Sequence, residues 1–322
     1  MSKNGYRPGK RKNSRKNNIN HPYGGIAVLA AVILVTLAVL YFTGNGLDIG
    51  GFSMSTLFPG DDPYTSAPVS DGCEIHIIDI GQGDASLIAL PDHKYILIDA
   101  GPGSGETLLR EYLNALGVSS LEYVILTHPH EDHIGGADMV ISEYDVGTVI
   151  MPDTTASTVA FDRVLTAIEN SDCAVEIGKS GMVLRVGDMK MTVLSPIGSS
   201  YEDANKWSIV IKAEYGDTSM LFTGDCEAEN EKELLSKFGA SILKSDMLKV
   251  GHHGSSTSST EEFIKTVSPY IATISCAEGN SYGHPHRETM ATLQKYVENI
   301  YRTDEMGSIV LYSDGKTVTL KK

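Results

Sequence analysis

The placement of the histidines constrains this chain more than any other feature of its sequence. Seven of the ten histidines lie in three tight clusters, and each cluster follows directly after a predicted strand. The clusters are His128, His130 and His133; His252 and His253; and His284 and His286. Packing alone does not explain this distribution, because functional side chains concentrate in loops that a rigid scaffold positions. The clusters therefore predict one functional site that is assembled from several loops.

The central cluster lies in the segment THPHEDHIGG, residues 127–136. Residues two apart on an extended chain point the same way, so His128 and His130 can bind one metal ion from one side. Asp132 and His133 follow where the chain turns into a helix, and they can face a second ion. Imidazole and carboxylate ligands suit Zn²⁺ or Mn²⁺, whereas a structural zinc site favours cysteines. The segment therefore predicts a site for two divalent metal ions, Zn or Mn.

Two further carboxylates end hydrophobic strands, Asp99 in LIDAG and Asp225 in LFTGD. An aspartate at such a place often only caps a turn or a helix. Beside the histidine segment, we expect Asp225 to bridge the two metal ions and Asp99 to orient their ligands from behind. Two ions about 3.5–4 Å apart can activate a water and stabilise the attacking and leaving oxygens of a displacement.

From residue 73 onward, short apolar runs alternate with helical stretches. Strands are predicted at 74–80, 85–90, 95–100, 122–127, 147–151, 246–250 and 270–276, in several short segments of 174–224, and in a hairpin at 308–320. Helices are predicted at 104–116, 134–142, 157–170, 226–237, 259–267 and 286–297. This alternation predicts an α/β layered domain with two mixed sheets over residues 73–322.

An apolar segment precedes this domain. Residues 23–43 carry no charge and are long enough to cross the ~30 Å of a bilayer core. Residues 1–20 hold seven bases and no acid. Together the two segments predict a protein of the cell membrane with a basic cytoplasmic tail at 1–22 and one transmembrane helix at 23–43. The catalytic domain is then predicted to be extracellular. A cleaved signal peptide is the alternative. Residues 44–72, rich in Gly, Pro, Ser and Thr, are predicted to be a flexible linker.

The charge of the chain is uneven. It holds 41 acids and 26 bases, and without the seven bases of the tail the remainder has 19 bases against 41 acids, a charge of −22. So acidic a body has no broad surface that could follow a phosphate backbone. An anionic substrate would therefore need local help, for example from metal ions.

The four cysteines, Cys73, Cys173, Cys226 and Cys276, are widely spaced and form no CxxC pair. Outside the membrane they could form up to two disulfides, and the sequence does not choose among three pairings. Free buried thiols are the alternative.

These motifs resemble the metallo-β-lactamase fold superfamily, and within it the hydrolase domain of the ComEC competence proteins and their free-standing relatives. The matching pieces follow the family's order across residues 73–322: IDIGQGDASLI (78–88), LIDAG (97–101), LTHPHEDHIGG (126–136), the Asn205 to Val210 segment, FTGD (222–225), LKVGHHGSSTSS (248–259) and YGHPH (282–286). The resemblance implies an αββα sandwich with a binuclear metal site at one edge.

The resemblance agrees with the two ligand pairs described above and adds His284 as the last ligand of the second ion. It implies that His252 and His253 face the substrate, where a histidine can act as general acid or contact a phosphate. It also implies a catalytic role for Asp132. Which of His252, His253 and His284 completes the metal shell stays open, and His286 is expected only to start a helix.

Four more residues follow from the resemblance. Gln82 and Asp84 of GQGD and Ser255 of HHGS are expected behind the metal ligands or against the substrate. Asn205 stands where most members of the superfamily carry another histidine. An amide oxygen is a weak ligand for zinc and a more acceptable one for manganese. This residue therefore argues against an efficient β-lactamase.

These observations predict a membrane-anchored, extracytoplasmic, metal-dependent phosphodiesterase or nuclease. Its substrate would be single-stranded DNA, a nucleotide or a phosphorylcholine-type ester; scarce basic and aromatic runs argue against tight binding of long duplex DNA. One apolar segment is too few for a DNA channel. The alternatives are a hydrolase of carbon esters, lactones or lactams, because fold alone does not choose the substrate, and a non-catalytic metal-binding module.

Overall fold

The computed structural model describes Val69 and residues 71–321 of the chain. The strands in this part of the chain are β1 Cys73–Ile77, β2 Ala85–Leu90, β3 Lys94–Ala100, β4 Ser120–Ile125, β5 Asp145–Met151, β6 Ala174–Ile177, β7 Val183–Val186, β8 Met189–Ser195, β9 Val210–Tyr215, β10 Thr218–Phe222, β11 Met247–Lys249, β12 Ile271–Ile274, β13 Asn299–Arg302, β14 Ile309–Ser313 and β15 Val318–Leu320. The α-helices are α1 Glu106–Ala115, α2 Glu131–Ile134, α3 Ala137–Glu143, α4 Val159–Glu169, α5 Ala228–Leu243, α6 Glu261–Val267, α7 Arg287–Tyr296 and α8 Thr303–Met306.

The strands form two mixed sheets. The first has the order β15-β14-β1-β2-β3-β4-β5-β6, and the second has the order β13-β12-β11-β10-β9-β8-β7. Strands β3 to β6 of the first sheet are parallel to one another, as are β10 to β13 of the second. The remaining neighbours pair antiparallel.

Three apolar clusters hold these layers together. Ile96 and Ile98 of β3 belong to the cluster between the sheets, whereas Leu97 packs with helices α1, α3 and α4 on the outer face. In the same way Phe222 of β10 packs between the sheets, and Leu221 packs outward against α5, α6 and α7. Side chains on a strand alternate between its faces, so strands covered on both sides read as continuous apolar runs. The result is the αββα sandwich that the sequence predicts.

Most predicted elements are present within a few residues of their predicted bounds, with four differences, the first being that the short helix α8 was not predicted. The single helix predicted at 134–142 is two short helices, α2 and α3, separated by Gly135 and Gly136. Helix α5 extends beyond residue 237 to Leu243, although Gly239 interrupts its helical backbone with a φ of 60°. Strand β13 was not predicted, because its four residues are all half-buried and give no alternating pattern.

The predicted tail (1–22), transmembrane helix (23–43) and nearly all of the linker (44–72) lie outside the described residues. Among the residues that the structure describes, no helix is both long and apolar enough to span a membrane. All four cysteines are described and all are free thiols, so the free-thiol alternative is the one observed. Burial raises the pKa of the Cys73 thiol to about 12.

A buried lysine closes the end of α5 and generates a stability prediction. Lys212 of β9 donates hydrogen bonds of 2.8 Å to the carbonyl oxygens of Ile242 and Lys244. We expect Lys212→Met to lower the free energy of unfolding by about 1–3 kcal/mol, because these buried carbonyls lose a charged donor at a helix C-terminus. Urea unfolding of the full-length protein in detergent measures the change.

The matched control is Lys190→Met, on the neighbouring strand β8. Lys190 pairs with Glu214 at the surface, where such pairs contribute about 0–1 kcal/mol. Equal losses of unfolding free energy in the two variants would contradict the capping role of Lys212.

Candidate metal centre

The predicted site residues gather at the carboxyl ends of parallel strands from both sheets. His128 follows β4 of the first sheet, and Asp225 and His253 follow β10 and β11 of the second. In α/β sheets the loops at this end of the strands form the ligand-binding crevice. The backbone amide of Ile209 donates to the carbonyl oxygen of Thr127 at 2.9 Å, which joins the two sheets beside the site.

The Asp225 carboxylate lies at the centre of the histidines and is only 2% exposed. Its Oδ1 is 3.2 Å from His133 Nε2 and 3.8 Å from His253 Nε2. Its Oδ2 is 3.7 Å from His128 Nε2 and 3.6 Å from His252 Nε2. One oxygen therefore faces each of two histidine pairs, which is the arrangement expected of a carboxylate that bridges two cations.

Two groups of potential ligands surround Asp225. His128, His130 and Asp225 form one group and Asp132, His133 and His253 the other; within each group the ligand atoms lie within 4.8 Å of one another. Both groups hold the residues predicted from the HxHxDH segment.

Several atoms of the centre are buried without a hydrogen-bond partner: His133 Nε2, His253 Nε2 and Asp225 Oδ1. Each such orphaned group costs about 1–3 kcal/mol, and a cation among them would satisfy all three. Their nitrogen and carboxylate donors are those that divalent transition metals bind. The residues present therefore fit a metal centre.

Asp99 lies behind the centre and holds His133 in place. Its Oδ2 is 2.8 Å from His133 Nδ1, and its two oxygens accept hydrogen bonds from the amide and hydroxyl of Thr127, both at 2.7 Å. These contacts leave His133 Nε2 as the nitrogen that faces Asp225. The geometry is the one by which an outer carboxylate orients a metal-binding imidazole.

The structure separates the three histidines whose roles were left open. His253 is fully buried and joins the second ligand group, with Nε2 at 3.3 Å from Asp132 Oδ2. His252 and His284 are partly exposed and line the open pocket in front of the centre. His284, named by the resemblance as the last ligand, is in neither group. His286 is the residue at which α7 begins, and its Nδ1 accepts a hydrogen bond from the amide of Ser256.

The pocket encloses about 310 Å³, within the range of small-molecule sites. Gln82 and Asn205 lie on its walls beside the ligand groups. The Asn205 side-chain oxygen is buried without a hydrogen-bond partner, and Gln82 accepts a hydrogen bond from the amide of Ala277. Among the described residues, no lysine or arginine lines this pocket.

Asp84 and Ser255 lie behind the site and do not line the pocket. Asp84 is paired with Lys249 at 2.8 Å and lies 3.3 Å from His253 Nδ1. The hydroxyl of Ser255 is 3.1 Å from that of Thr257, within the loop that carries His252 and His253. Both residues thus contact the residues and the loop that hold the histidines in place, and neither faces the open pocket.

Sequence reasoning missed Lys249, Ser208 and Tyr282. Lys249 lies within the predicted strand 246–250, and a lysine inside an apolar run is a signal that could have found it. Ser208 accepts a hydrogen bond from the Asp225 amide at 3.1 Å. Tyr282 is 65% exposed, lines the pocket and stacks on His284 with ring centroids 5.6 Å apart.

Mutual charge compensation sets the ionisation of this centre. Burial opposes ionisation of Asp225, but His133 and His253 outweigh it and hold the pKa of Asp225 well below its ordinary value. Burial likewise opposes the ionisation of Asp132, whose pKa falls to about 2 chiefly because His253 lies beside it, with Nε2 3.3 Å from Asp132 Oδ2. Conversely, the surrounding carboxylates outweigh burial at His133 and His253 and raise the pKa of both, to about 10 for His253.

This fold and this centre define a metal-dependent hydrolase. Residues 78–278 match the family described as the Metallo-beta-lactamase superfamily, and the chain belongs to that superfamily.

Within the superfamily, the chain is similar to competence proteins. It is 37% identical over 253 residues to ComE operon protein 3 of Bacillus subtilis (73% of this chain, 32% of that protein). It is 32% identical over 241 residues to Recombination protein 2 of Haemophilus influenzae (73% and 28%). The chain thus spans about a third of the length of these curated relatives. Among solved structures, the metallo-beta-lactamase fold protein YhfI from Bacillus subtilis shares the fold, with a TM-score of 0.51 and 13% identity over 76% of this chain and 100% of that one.

The raised pKa values generate a prediction about metal binding. In the metal-free protein at neutral pH, His133 and His253 carry a proton that an ion must displace, so we expect binding to release about two protons. Affinity should therefore rise as the pH rises from about 6 to 9, since fewer protons then compete for these imidazoles. Calorimetry in buffers of different ionisation enthalpy measures the release. Asp225→Asn should release fewer protons, and binding without proton release would contradict the prediction.

Proposed function

We propose that this chain is a membrane-anchored, extracytoplasmic phosphodiesterase or nuclease that uses two divalent metal ions, Zn²⁺ or Mn²⁺. The position of Asp225 carries the proposal, because each of its oxygens faces a separate group of ligands. A bridging carboxylate is a feature of binuclear hydrolytic sites, where paired ions hold both oxygens of a displacement.

Each of the two ligand groups would hold one metal ion. His128, His130 and Asp225 would hold one ion, and Asp132, His133 and His253, with the second oxygen of Asp225, would hold the other. Bound there, the ions would supply an activated water and neutralise charge on a phosphate. The free side-chain oxygen of Asn205 on the pocket wall favours Mn²⁺ over Zn²⁺ at the first position.

The pocket favours a compact phosphodiester. With no lysine or arginine on the walls that the structure describes, a phosphate there depends on the metal ions and histidines. The relatives described above include Recombination protein 2 of Haemophilus influenzae, and its name favours DNA among the phosphodiesters. The charge of −22 over the body favours single strands over long duplexes, because tracking a duplex needs many phosphate contacts.

A metal-reconstituted screen tests this proposal. Full-length protein in detergent is loaded with Mn²⁺ or Zn²⁺ and offered single-stranded DNA, bis(p-nitrophenyl) phosphate, p-nitrophenyl phosphorylcholine, a lactone and a β-lactam. We expect phosphodiester turnover that His130→Ala and Asp225→Ala reduce by at least about 100-fold, because each removes a predicted metal ligand. Turnover of the lactone or lactam alone, or of none of the five, would contradict a phosphodiesterase.

His252 is proposed as the general acid for the leaving oxygen. It lines the pocket, its side chain is 22% exposed, and its Nδ1 lies 3.1 Å from the hydroxyl of Thr257. We expect His252→Gln to lower kcat by about 10²–10⁴-fold while two ions still bind, because proton transfer to the leaving group is lost. The control His93→Asn, at an exposed turn with a φ of 55°, should leave kcat unchanged. Loss of one equivalent of metal in His252→Gln would instead make His252 a ligand.

The membrane anchor is proposed from residues 23–43 and the basic residues before them. We expect the chain to stay with the membrane after a carbonate wash, and protease added to intact cells without a wall to remove the catalytic domain. Recovery of the domain in the wash, or its protection from the protease, would contradict this topology. A cytoplasmic protein of the same cells, which the added protease should leave intact, is the control for cell integrity.

A further inference from the structure

Lys249 is a fully buried ammonium group beside the metal centre, and the function proposed above does not use it. The residue is 2% exposed at the end of β11. Its Nζ donates to Asp84 Oδ2 at 2.8 Å and to the carbonyl oxygen of Val250 at 3.2 Å. A buried lysine is strongly unfavourable unless it is paired and hydrogen-bonded, so this pair has a specific place in the fold.

Asp84 connects Lys249 to the centre in two ways. Through its backbone, the Asp84 amide donates to the carbonyl oxygen of Asp132 at 3.0 Å. A side chain at the preceding Gly83 would collide with that carbonyl oxygen, since an added Cβ would lie 2.4 Å from it. Through its side chain, Asp84 Oδ1 lies 3.3 Å from His253 Nδ1. The chain therefore approaches the centre closely at this point.

The surroundings of His253 determine which of its nitrogens faces the centre. Nδ1 lies 3.0 Å from the carbonyl oxygen of Ser275 and 3.3 Å from Asp84 Oδ1, and carbonyl and carboxylate oxygens can accept a hydrogen bond but cannot donate one. Nδ1 therefore carries a proton, and Nε2 is directed at Asp132 and Asp225. A carboxylate on the far nitrogen also raises the basicity of the near one, which strengthens its bond to a metal.

The Asp84 carboxylate needs a cation of its own to do this. It is 3% exposed, and a buried carboxylate is stable in one place only when it is paired and hydrogen-bonded, as Asp84 is with Lys249. Lys249 is contributed by the second sheet and Asp84 by the first, so the pair also joins the two sheets at the site.

We propose that Lys249 is a positioning residue for the metal centre: its ammonium hydrogen-bonds Asp84 and holds that carboxylate beside His253 Nδ1, which directs His253 Nε2 towards Asp132 and Asp225. The inference rests on the proposed metal centre and not on the choice of substrate. It is tested by metal binding, which needs no turnover.

The test compares Mn²⁺ binding by full-length wild type, Lys249→Met and Lys212→Met in detergent, by calorimetry. Lys212 is the matched control, because it is a buried lysine of the same sheet that donates to carbonyl oxygens at the end of α5. We expect Lys249→Met to weaken the site that contains His253 by about 10–100-fold, as loss of an outer partner of a ligand does. Lys212→Met should bind Mn²⁺ as wild type does, even where its melting temperature falls.

Lys249→Met leaves Asp84 without its cation and can fail to fold for that reason. The double variant Lys249→Met with Asp84→Asn removes both charges, so no unpaired charge is buried. We expect this variant to fold and to bind Mn²⁺ about as weakly as Lys249→Met, with Lys249→Arg restoring part of the affinity.

Wild-type affinity in the folded double variant, or equal losses of affinity in the Lys249 and Lys212 variants, would overturn the proposal. A wild type that takes up no Mn²⁺ would overturn it as well. Tight, Lys249-dependent binding in a protein that cleaves no phosphodiester would support it and refute the phosphodiesterase instead.

Discussion

The buried negative charge of Asp225 is the constraint on which the rest of the site depends. An ionised carboxylate that is 2% exposed is stable only with compensating groups around it, because desolvation of a charge costs several kcal/mol. Imidazoles from two loops provide that compensation, His133 after β4 and His253 after β11. These loops come from different sheets, so the charge is balanced only where both sheets end together. The three apolar clusters bring those ends together and leave the polar groups at one edge.

Local spacing was sufficient to predict much of this arrangement. The alternation of strands and helices reflects periods of two and 3.6 residues, and it predicted an α/β layered domain with two mixed sheets. The αββα order of the layers was implied by the resemblance to the superfamily. The spacing within HxHxDH likewise predicted that His128 and His130 would face one ion and that Asp132 and His133 would face a second, and the two pairs fall in separate groups of potential ligands. Asp99 was predicted to orient ligands, and it contacts His133 at 2.8 Å. Each of these inferences depends on residues that are close in sequence or at the end of a predicted strand.

Contacts set by backbone conformation and tertiary packing could not be predicted in that way. His252 and His253 both have left-handed backbone conformations, with φ of 50° and 52°. The two adjacent rings have centroids 6.3 Å apart and an interplanar angle of 70°, and His253 is buried among the ligands whereas His252 is partly exposed. Neighbouring positions in the sequence gave no means to distinguish them. Lys249 contacts Asp84 across 165 residues, and only the packing of one sheet on the other brings that pair together.

The chain beyond its basic N-terminal tail is acidic, yet it can accept an anionic substrate, because the electrostatic field in the pocket is set by nearby groups. At physiological ionic strength, exposed charges are screened over about 8 Å, so most surface acids have little influence on a phosphate in the pocket. The acids nearest to it already have partners: Glu131 accepts a hydrogen bond from the Gly103 amide at 2.8 Å, and Glu227 lies 3.5 Å from His252 Nδ1. Asp225 and Asp132 are balanced by histidines, and a bound cation would add positive charge to that balance. The net charge of −15 is therefore a property of the surface, whereas the attraction of a phosphate is a property of the centre and its metal ions.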